Sequence, residues 1–276
     1  MILPSQAADV EVDDSRLVLI QSVGRCGSTL VSRVFESLDS VRSLSEPDAF
    51  TNLAGWRGSA LASDGVIRRM ADSCVRMCCK PLAGSEAPSY VAIKFRSQCI
   101  EIDDLLAEAF PAARHIYLTR EPISRLDSTY RAFIDPETVD DNDYRTLIED
   151  TFAPVHPLIE GEVIKGKPMS AWKLFLLSWI GNNGAFRKVQ DKGIPYCVAV
   201  FSEIKNNGME TISRILDYCA IPVADLSVIE ECLSRDSQKG SGIDQNLINN
   251  PAKRLPEEMR IKAQNLLALY GYPTEE

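Results

Sequence analysis

The residues best suited to bind a ligand or take part in a reaction form one short segment near the amino terminus, Gly24-Arg25-Cys26-Gly27-Ser28-Thr29-Leu30. The segment follows the apolar run Leu17–Ile20 and precedes apolar residues at helical spacing, so the local order is strand, glycine-containing loop and helix. Two glycines allow successive backbone N–H groups to point inward at an anion, and the following helix adds the positive end of its dipole. This order predicts a phosphate-binding loop. The Gly-Lys-Ser/Thr ending of nucleotide hydrolases is missing from it.

A second anion-binding element is predicted around Arg120. The run His115–Thr119 has the composition of a buried strand that ends at Arg120, and Pro122 then starts a helix. Arg120 therefore stands at the carboxyl end of a strand, where open α/β sheets bind ligands, and Ser128 follows about two helical turns later. Together the two side chains could hold a second phosphate. The alternative is a surface arginine in a solvent-exposed ion pair with Glu121.

Predicted strands and helices alternate through most of the chain, which indicates how these residues are positioned. The predicted strands are Leu17–Val23, Tyr90–Phe95, His115–Thr119 and Tyr196–Phe201. The predicted helices are Thr29–Leu38, Val66–Cys79, Ile102–Phe110, Ile123–Phe133, Met169–Gln190, Met209–Cys219, Asp225–Leu233 and Pro256–Tyr270. Strands separated by helices imply parallel pairing, so we expect a three-layer α/β fold with a mainly parallel sheet flanked by helices and a helical carboxyl-terminal part. A flexible acidic leader (residues 1–15) is expected to precede one domain (residues 16–276).

The composition and charge of the chain limit the kinds of molecule that the protein is expected to bind. A formal net charge of −9 without a dense basic stripe argues against a nucleic-acid surface. No apolar run reaches membrane-spanning length, so no membrane insertion is expected. The eight cysteines have neither a compact paired framework nor zinc-ligand spacing. These features together predict a cytoplasmic protein with reduced cysteines. The oligomeric state is not indicated.

The chain resembles the sulfotransferases that use 3′-phosphoadenosine 5′-phosphosulfate (PAPS). The Gly24–Leu30 segment is similar to their 5′-phosphosulfate loop, with Arg25 where many members carry lysine. Tyr117–Pro122 followed by Ser128 is similar to their 3′-phosphate motif. Further along, Val198–Ile204 followed by Ile212, Ile215 and Leu216 resembles the late strand and helix of the family. Gln238-Lys239-Gly240 resembles a basic loop that closes over the nucleotide, matching it only at Lys239 and Gly240.

The resemblance implies a P-loop-like fold and binding of PAPS, with adenosine 3′,5′-bisphosphate as the product and no metal required. The 5′ end of PAPS would lie on Gly24–Thr29, and its 3′-phosphate on Arg120, Ser128 and Lys239. Arg25 would neutralise charge on the bridging oxygen. Lys94, at the end of a predicted strand, would be a second cation on the sulfuryl group or simply a solvated strand-end lysine. The acceptor would be a small molecule or a carbohydrate with a hydroxyl or amine group.

The position at which many members of the family carry their general base holds a different residue type in this chain. Many relatives carry a histidine two residues after the strand-end lysine, but this chain has Arg96 there, which cannot be deprotonated. The only histidines are His115, which begins a predicted core strand, and His156, in a loop flanked by prolines. Glu46 is the candidate, since members that use a carboxylate carry it after the first helix and a short extended stretch. A simple turn carboxylate is the alternative.

Two other classes of function stay open at this point. A P-loop kinase would transfer a phosphoryl group from ATP, but it would need a lysine and a magnesium-binding hydroxyl directly after it. A non-catalytic relative would bind a nucleotide without turnover, and the arginine at position 96 favours that reading.

Overall fold

A computed structural model describes residues 10–81, 88–133, 157–164, 169–223, 225–235 and 254–273. Its centre is a parallel sheet of five strands in the order β2-β3-β1-β4-β5. The strands are β1 (Leu17–Ser22), β2 (Val41–Ser45), β3 (Tyr90–Lys94), β4 (Arg114–Thr119) and β5 (Tyr196–Val200). All strand pairs are parallel, as the alternation of strands and helices predicts.

Helices cover both faces of this sheet. They are α1 (Ser28–Glu36), α2 (Asp48–Gly58), α3 (Asp64–Cys79), α4 (Asp103–Ala109), α5 (Pro122–Phe133), α6 (Pro157–Ile164), α7 (Ala171–Asp191), α8 (Phe201–Asn206), α9 (Gly208–Tyr218), α10 (Ser227–Ser234) and α11 (Glu257–Leu269), with 3₁₀ turns at Asp14–Arg16 and Ser97–Ile102.

The central strand β1 supplies side chains to both helical layers. Because successive side chains of a strand point to opposite faces, Leu17 and Leu19 join one hydrophobic cluster, whereas Val18 and Ile20 join the other. All six residues of β1 are buried, as expected for a strand covered on both sides. The predicted three-layer α/β fold with a helical carboxyl-terminal part is therefore confirmed.

Several elements differ from the sequence predictions. The edge strand β2 was not among the predicted strands, because Arg42, Ser43 and Ser45 interrupt its apolar pattern and only Val41 is buried. Helices α2, α6 and α8 were also not predicted. At α8 the predicted strand Tyr196–Phe201 instead ends at Val200, and the helix begins at Phe201.

The strand order brings the carboxyl ends of β1 and β4 side by side at the centre of the sheet. The chain leaves β1 toward β2 on one side and leaves β4 toward β5 on the other, so these two loops diverge. Ligands of open α/β sheets bind at such a divergence. The Gly24–Thr29 loop follows β1 and Arg120 follows β4, so both predicted anion-binding elements lie at this point.

The amino-terminal residues that the structure describes pack on the domain. Asp14 accepts a hydrogen bond from the backbone N–H of Ala112 (2.9 Å), and Arg76 donates to the carbonyl of Val10 (2.8 Å). The division into a leader (1–15) and one domain (16–276) stays a prediction. Within the described ranges, none of the helices combines the length and the apolarity needed to cross a bilayer.

Candidate active site

The Gly24–Thr29 loop has the backbone conformation of a tight turn that leads into a helix. Gly24 (φ 72°), Arg25 (φ 56°) and Gly27 (φ 82°) all lie in the left-handed region, and α1 begins at Ser28. A Cβ atom at position 27 would lie 3.3 Å from Cδ2 of Phe201, so a glycine fits there for conformation and for space. The Cys26 side chain is buried in the core, and burial raises the pKa of its thiol. The thiol is therefore not available to a ligand.

The two predicted phosphate-binding motifs contact each other. Nε of Arg25 donates to Oγ of Ser128 across 3.3 Å, and Nη1 of Arg120 donates to the backbone carbonyl of Arg25 across 2.9 Å. Residues about a hundred positions apart in the chain therefore form one polar cluster at the ends of β1 and β4. The structure therefore brings Arg25, Arg120 and Ser128 together.

Arg120 is held in place by side chains from three helices. Its Nε donates to Oγ of Ser124 (3.0 Å), and its guanidinium lies 4.2 Å above the ring of Phe201. The indole Nε1 of Trp179 donates to the Arg120 carbonyl (2.9 Å). Glu121 instead accepts a hydrogen bond from Ser202 (2.8 Å). The alternative of an ion pair between Arg120 and Glu121 is not found among the described residues.

Three arginines at this edge of the sheet have no carboxylate partner among the described residues, namely Arg25, Arg120 and Arg125. Burial, and then the charge of Arg131, lower the pKa of Arg25. Burial, and then the charge of Arg25, lower the pKa of Arg120 to about 10. Both groups stay protonated at neutral pH. Such an excess of partly buried positive charge fits an anionic ligand with more than one charged group.

The second half of the site is a cluster of two acidic and two cationic side chains at the ends of β2 and β3. Glu46 pairs with Lys94 and with Nε of Arg96 (3.3 Å), and Nη1 of Arg96 pairs with Asp48 (2.9 Å). The backbone N–H of Glu46 also donates to the carbonyl of Lys94 (2.7 Å). The contact follows from strand register, since Ser45 of β2 lies opposite Lys94 of β3.

Lys94 is buried, with 5% of its surface exposed, so it is not the solvated strand-end lysine of the alternative interpretation. Glu46 has a backbone φ of 56°, an uncommon conformation for a residue with a side chain. Burial raises the pKa of Glu46, but the hydrogen bonds and charges of Lys94 and Arg96 outweigh burial and lower the pKa overall. The carboxylate is therefore ionised at neutral pH and can accept a proton, although as a weak base.

The remaining sequence candidates divide into three groups. Ser28 is buried at the first position of α1, and Thr29 is partly exposed beside it. Lys239, Gly240 and His156 lie outside the described residues. His115 is buried in the core, where its Nδ1 lies 3.1 Å from Asp103, so its role is structural.

No group of three or more potential metal ligands occurs in the part of the chain that the structure describes.

Two residues of the site were missed by the sequence analysis, Ser124 and Arg125. Ser124 lies four residues after Arg120, the spacing at which helical side chains meet. Arg125 lies between the apolar residues Ile123 and Leu126 of the inner face of α5 and is itself buried. A charged residue in such a place is unusual, and this was the signal that could have identified it.

No family model matches the chain, and no curated protein matches it in sequence. Solved structures do match it. A sulfotransferase from Alicyclobacillus acidocaldarius is 12% identical, with a TM-score of 0.53 over 94% of this chain and 93% of that one. The sulfotransferase STF9 from Mycobacterium avium is 11% identical, with a TM-score of 0.51 over 98% of this chain and 80% of that one. The chain therefore has the fold of these sulfotransferases.

Proposed function

We propose that this protein is a sulfotransferase that moves a sulfuryl group from PAPS to a hydroxyl or amine of a small-molecule or carbohydrate acceptor. The observation that carries the proposal is the contact between the two phosphate-directed motifs, in which Arg25 bonds to Ser128 and Arg120 bonds to the Arg25 carbonyl. The fold shared with solved sulfotransferases supports it.

The residues at the centre of the sheet fit a nucleotide with two anionic groups, one at its 5′ end and one at its 3′ position. The N–H groups of Gly24–Thr29 and the first turn of α1 would bind the 5′-phosphosulfate, and Arg120 with Ser128 would bind the 3′-phosphate. Lys239 and Gly240 would close over the nucleotide. The cationic side chains supply charge neutralisation, so the proposal includes no metal.

PAPS supplies a sulfuryl group joined to a phosphate oxygen, which is a good leaving group. Glu46 would take the proton of the acceptor hydroxyl or amine while the acceptor atom bonds to sulfur. The bond between sulfur and the bridging oxygen breaks, and that oxygen leaves with its electron pair as part of adenosine 3′,5′-bisphosphate. Lys94 and Arg25 would stabilise the charge that develops there. The ion pair between Lys94 and Glu46 keeps the proposed general base and one of the cations of this step adjacent.

A calorimetric titration of the full chain with adenosine 3′,5′-bisphosphate and with ATP tests the nucleotide specificity. We expect the bisphosphate to bind with a micromolar or tighter dissociation constant without magnesium, and ATP to bind much more weakly. The loop lacks the magnesium-binding ending, and the arginines offer two separate phosphate contacts. Magnesium-dependent binding of ATP at equal strength would favour a kinase. Tight binding of the bisphosphate without sulfuryl transfer from PAPS to any of a panel of phenols, amines and sugars would favour a non-catalytic relative.

A further inference from the structure

Arg125 joins the start of the Gly24–Thr29 loop to helix α7. Its Nη2 donates to the carbonyl of Val23 across 3.1 Å, and its Nη1 donates to the carbonyl of Phe175. Only 6% of the residue is exposed. The guanidinium therefore lies inside the protein, directly beneath the turn that leads out of β1.

Both hydrogen-bond acceptors of Arg125 named above are neutral backbone carbonyls. No carboxylate of the described residues pairs with Arg125, and its Nε is buried without a hydrogen-bond partner. Burial lowers its pKa to about 10, so the group still carries its charge at neutral pH. Burying an unpaired charge is unfavourable, and a leucine or methionine of similar volume would avoid that penalty.

The position of Arg125 identifies the place where its charge acts. A Cβ atom at Gly24 would lie 4.0 Å from Nη2 of Arg125, so the backbone of Gly24 is close to the guanidinium. Arg25 and Arg120 are near enough for their charges to lower its pKa further. An anion on the loop would compensate this buried charge.

We propose that Arg125 is a positioning residue for the 5′-phosphosulfate: it fixes the Val23 carbonyl at the start of the loop and places a permanent positive charge beneath the anion. The proposal rests on the proposed function, since it assigns the 5′ end of the nucleotide to this loop. A purely structural residue would need the two hydrogen bonds but not the charge.

The test compares Arg125→Gln and Arg125→Lys with the wild type in calorimetric titrations of two ligands, adenosine 3′,5′-bisphosphate and adenosine 3′-monophosphate, which lacks the 5′ group. We expect Arg125→Gln to lower the affinity for the bisphosphate about tenfold or more, because it removes one charge-assisted contact. The affinity for the monophosphate should change little. Arg125→Lys restores charge, so it should recover most of the lost affinity. Arg131→Gln is the matched control, because it removes the same charge from the same helix but from a pair with Asp127 (2.9 Å). Arg131→Gln should lower the affinity for the bisphosphate much less than Arg125→Gln does.

A second measurement uses Arg125→Lys alone, in case Arg125→Gln does not fold. Burial lowers the pKa of a lysine into an accessible range, so the affinity of this variant for the bisphosphate should fall as pH rises from 7 to about 9.5, while the affinity of the wild type stays nearly constant over that range. Equal losses for both ligands in Arg125→Gln, or a pH-independent affinity in Arg125→Lys, would overturn the proposal. A wild type that binds the monophosphate and bisphosphate equally would also overturn it. A wild type that binds neither would instead overturn the proposed function, and the role of Arg125 with it.

Discussion

The Nε atom of Arg25 lies 3.3 Å from the hydroxyl of Ser128, although 103 residues separate them in the chain. Arg25 belongs to the loop after β1, and Ser128 belongs to the helix after β4. The contact connects the segment expected to bind the 5′ end of a nucleotide with the segment expected to bind its 3′-phosphate. Substitutions in one motif can therefore affect the other, and the predictions below are designed to separate the two.

Substitution of the residues proposed to bind the 3′-phosphate should lower the affinity for the bisphosphate. We expect Arg120→Ala to reduce its affinity about tenfold to a hundredfold, since a charge-assisted hydrogen bond contributes roughly 1.5–3 kcal/mol. Ser128→Ala should have a smaller effect, because it removes a neutral donor. Calorimetry with adenosine 5′-phosphosulfate, which has no 3′-phosphate, is the control, and Ser128→Ala should bind it about as tightly as the wild type does. An equal loss for this ligand would mean that Ser128 positions Arg25 rather than binding phosphate.

Glu46→Gln should lower turnover by about two to four powers of ten, because a positioned general base contributes about that much. Glutamine keeps the shape of the side chain and one acceptor oxygen, so the loss isolates proton removal from packing. The affinity for adenosine 3′,5′-bisphosphate should change little. The measurement is the steady-state rate with an identified acceptor, compared with bisphosphate titrations of the same variant. Wild-type turnover in Glu46→Gln, together with a collapse in Asp48→Asn or His156→Ala, would place the base elsewhere.

The pH profile should reveal the ion pairs around Glu46. Glu46 must be ionised to accept a proton, so kcat/KM falls as pH decreases through its pKa. Burial raises this pKa, and Lys94 and Arg96 more than reverse the effect, so the wild-type profile should stay flat down to below the ordinary value for glutamate of about 4.5. Arg96→Gln removes one of the two cations and should move the acidic limb to higher pH. An acidic limb at the same pH in both proteins would contradict the assignment of Glu46 as the titrating base.

Gly27→Ala should weaken the nucleotide site as well as the fold. An alanine at φ 82° costs roughly 1–2 kcal/mol of stability, and its Cβ would lie 3.3 Å from the Phe201 ring on which Arg120 stacks. Gly193→Ala is the matched control, because Gly193 has a φ of 80° and open space around its Cβ position, at the opposite edge of the sheet. Thermal unfolding should show both variants destabilised. Only Gly27→Ala should lose affinity for the bisphosphate, and an equal affinity in the two variants would contradict a role for this turn in binding.

Local residue patterns are enough to predict the class of fold and the two ligand-directed motifs. Buried parallel strands are short apolar runs, and their helices carry apolar residues at a period near 3.6, so both are visible in the local pattern. The glycines of the first loop and the arginine after β4 come directly after such apolar runs in the sequence. The edge strand β2 was not visible, because its polar residues interrupt the apolar pattern and only its pairing with β3 defines it as a strand.

The contacts between the side chains of the site depend on strand order, register and helix packing. The pairing of Glu46 with Lys94 depends on the register of β2 against β3, and the contact of Arg25 with Ser128 depends on β1 lying next to β4. The burial of Arg125 depends on helix α7 covering α5 and the loop. Strand order and helix packing arise from contacts between residues that are far apart in the chain, whereas periodicity reports only neighbours along it. For this reason the chemistry of the candidate site could be expected from residue types, but its ion pairs and its buried charge could not.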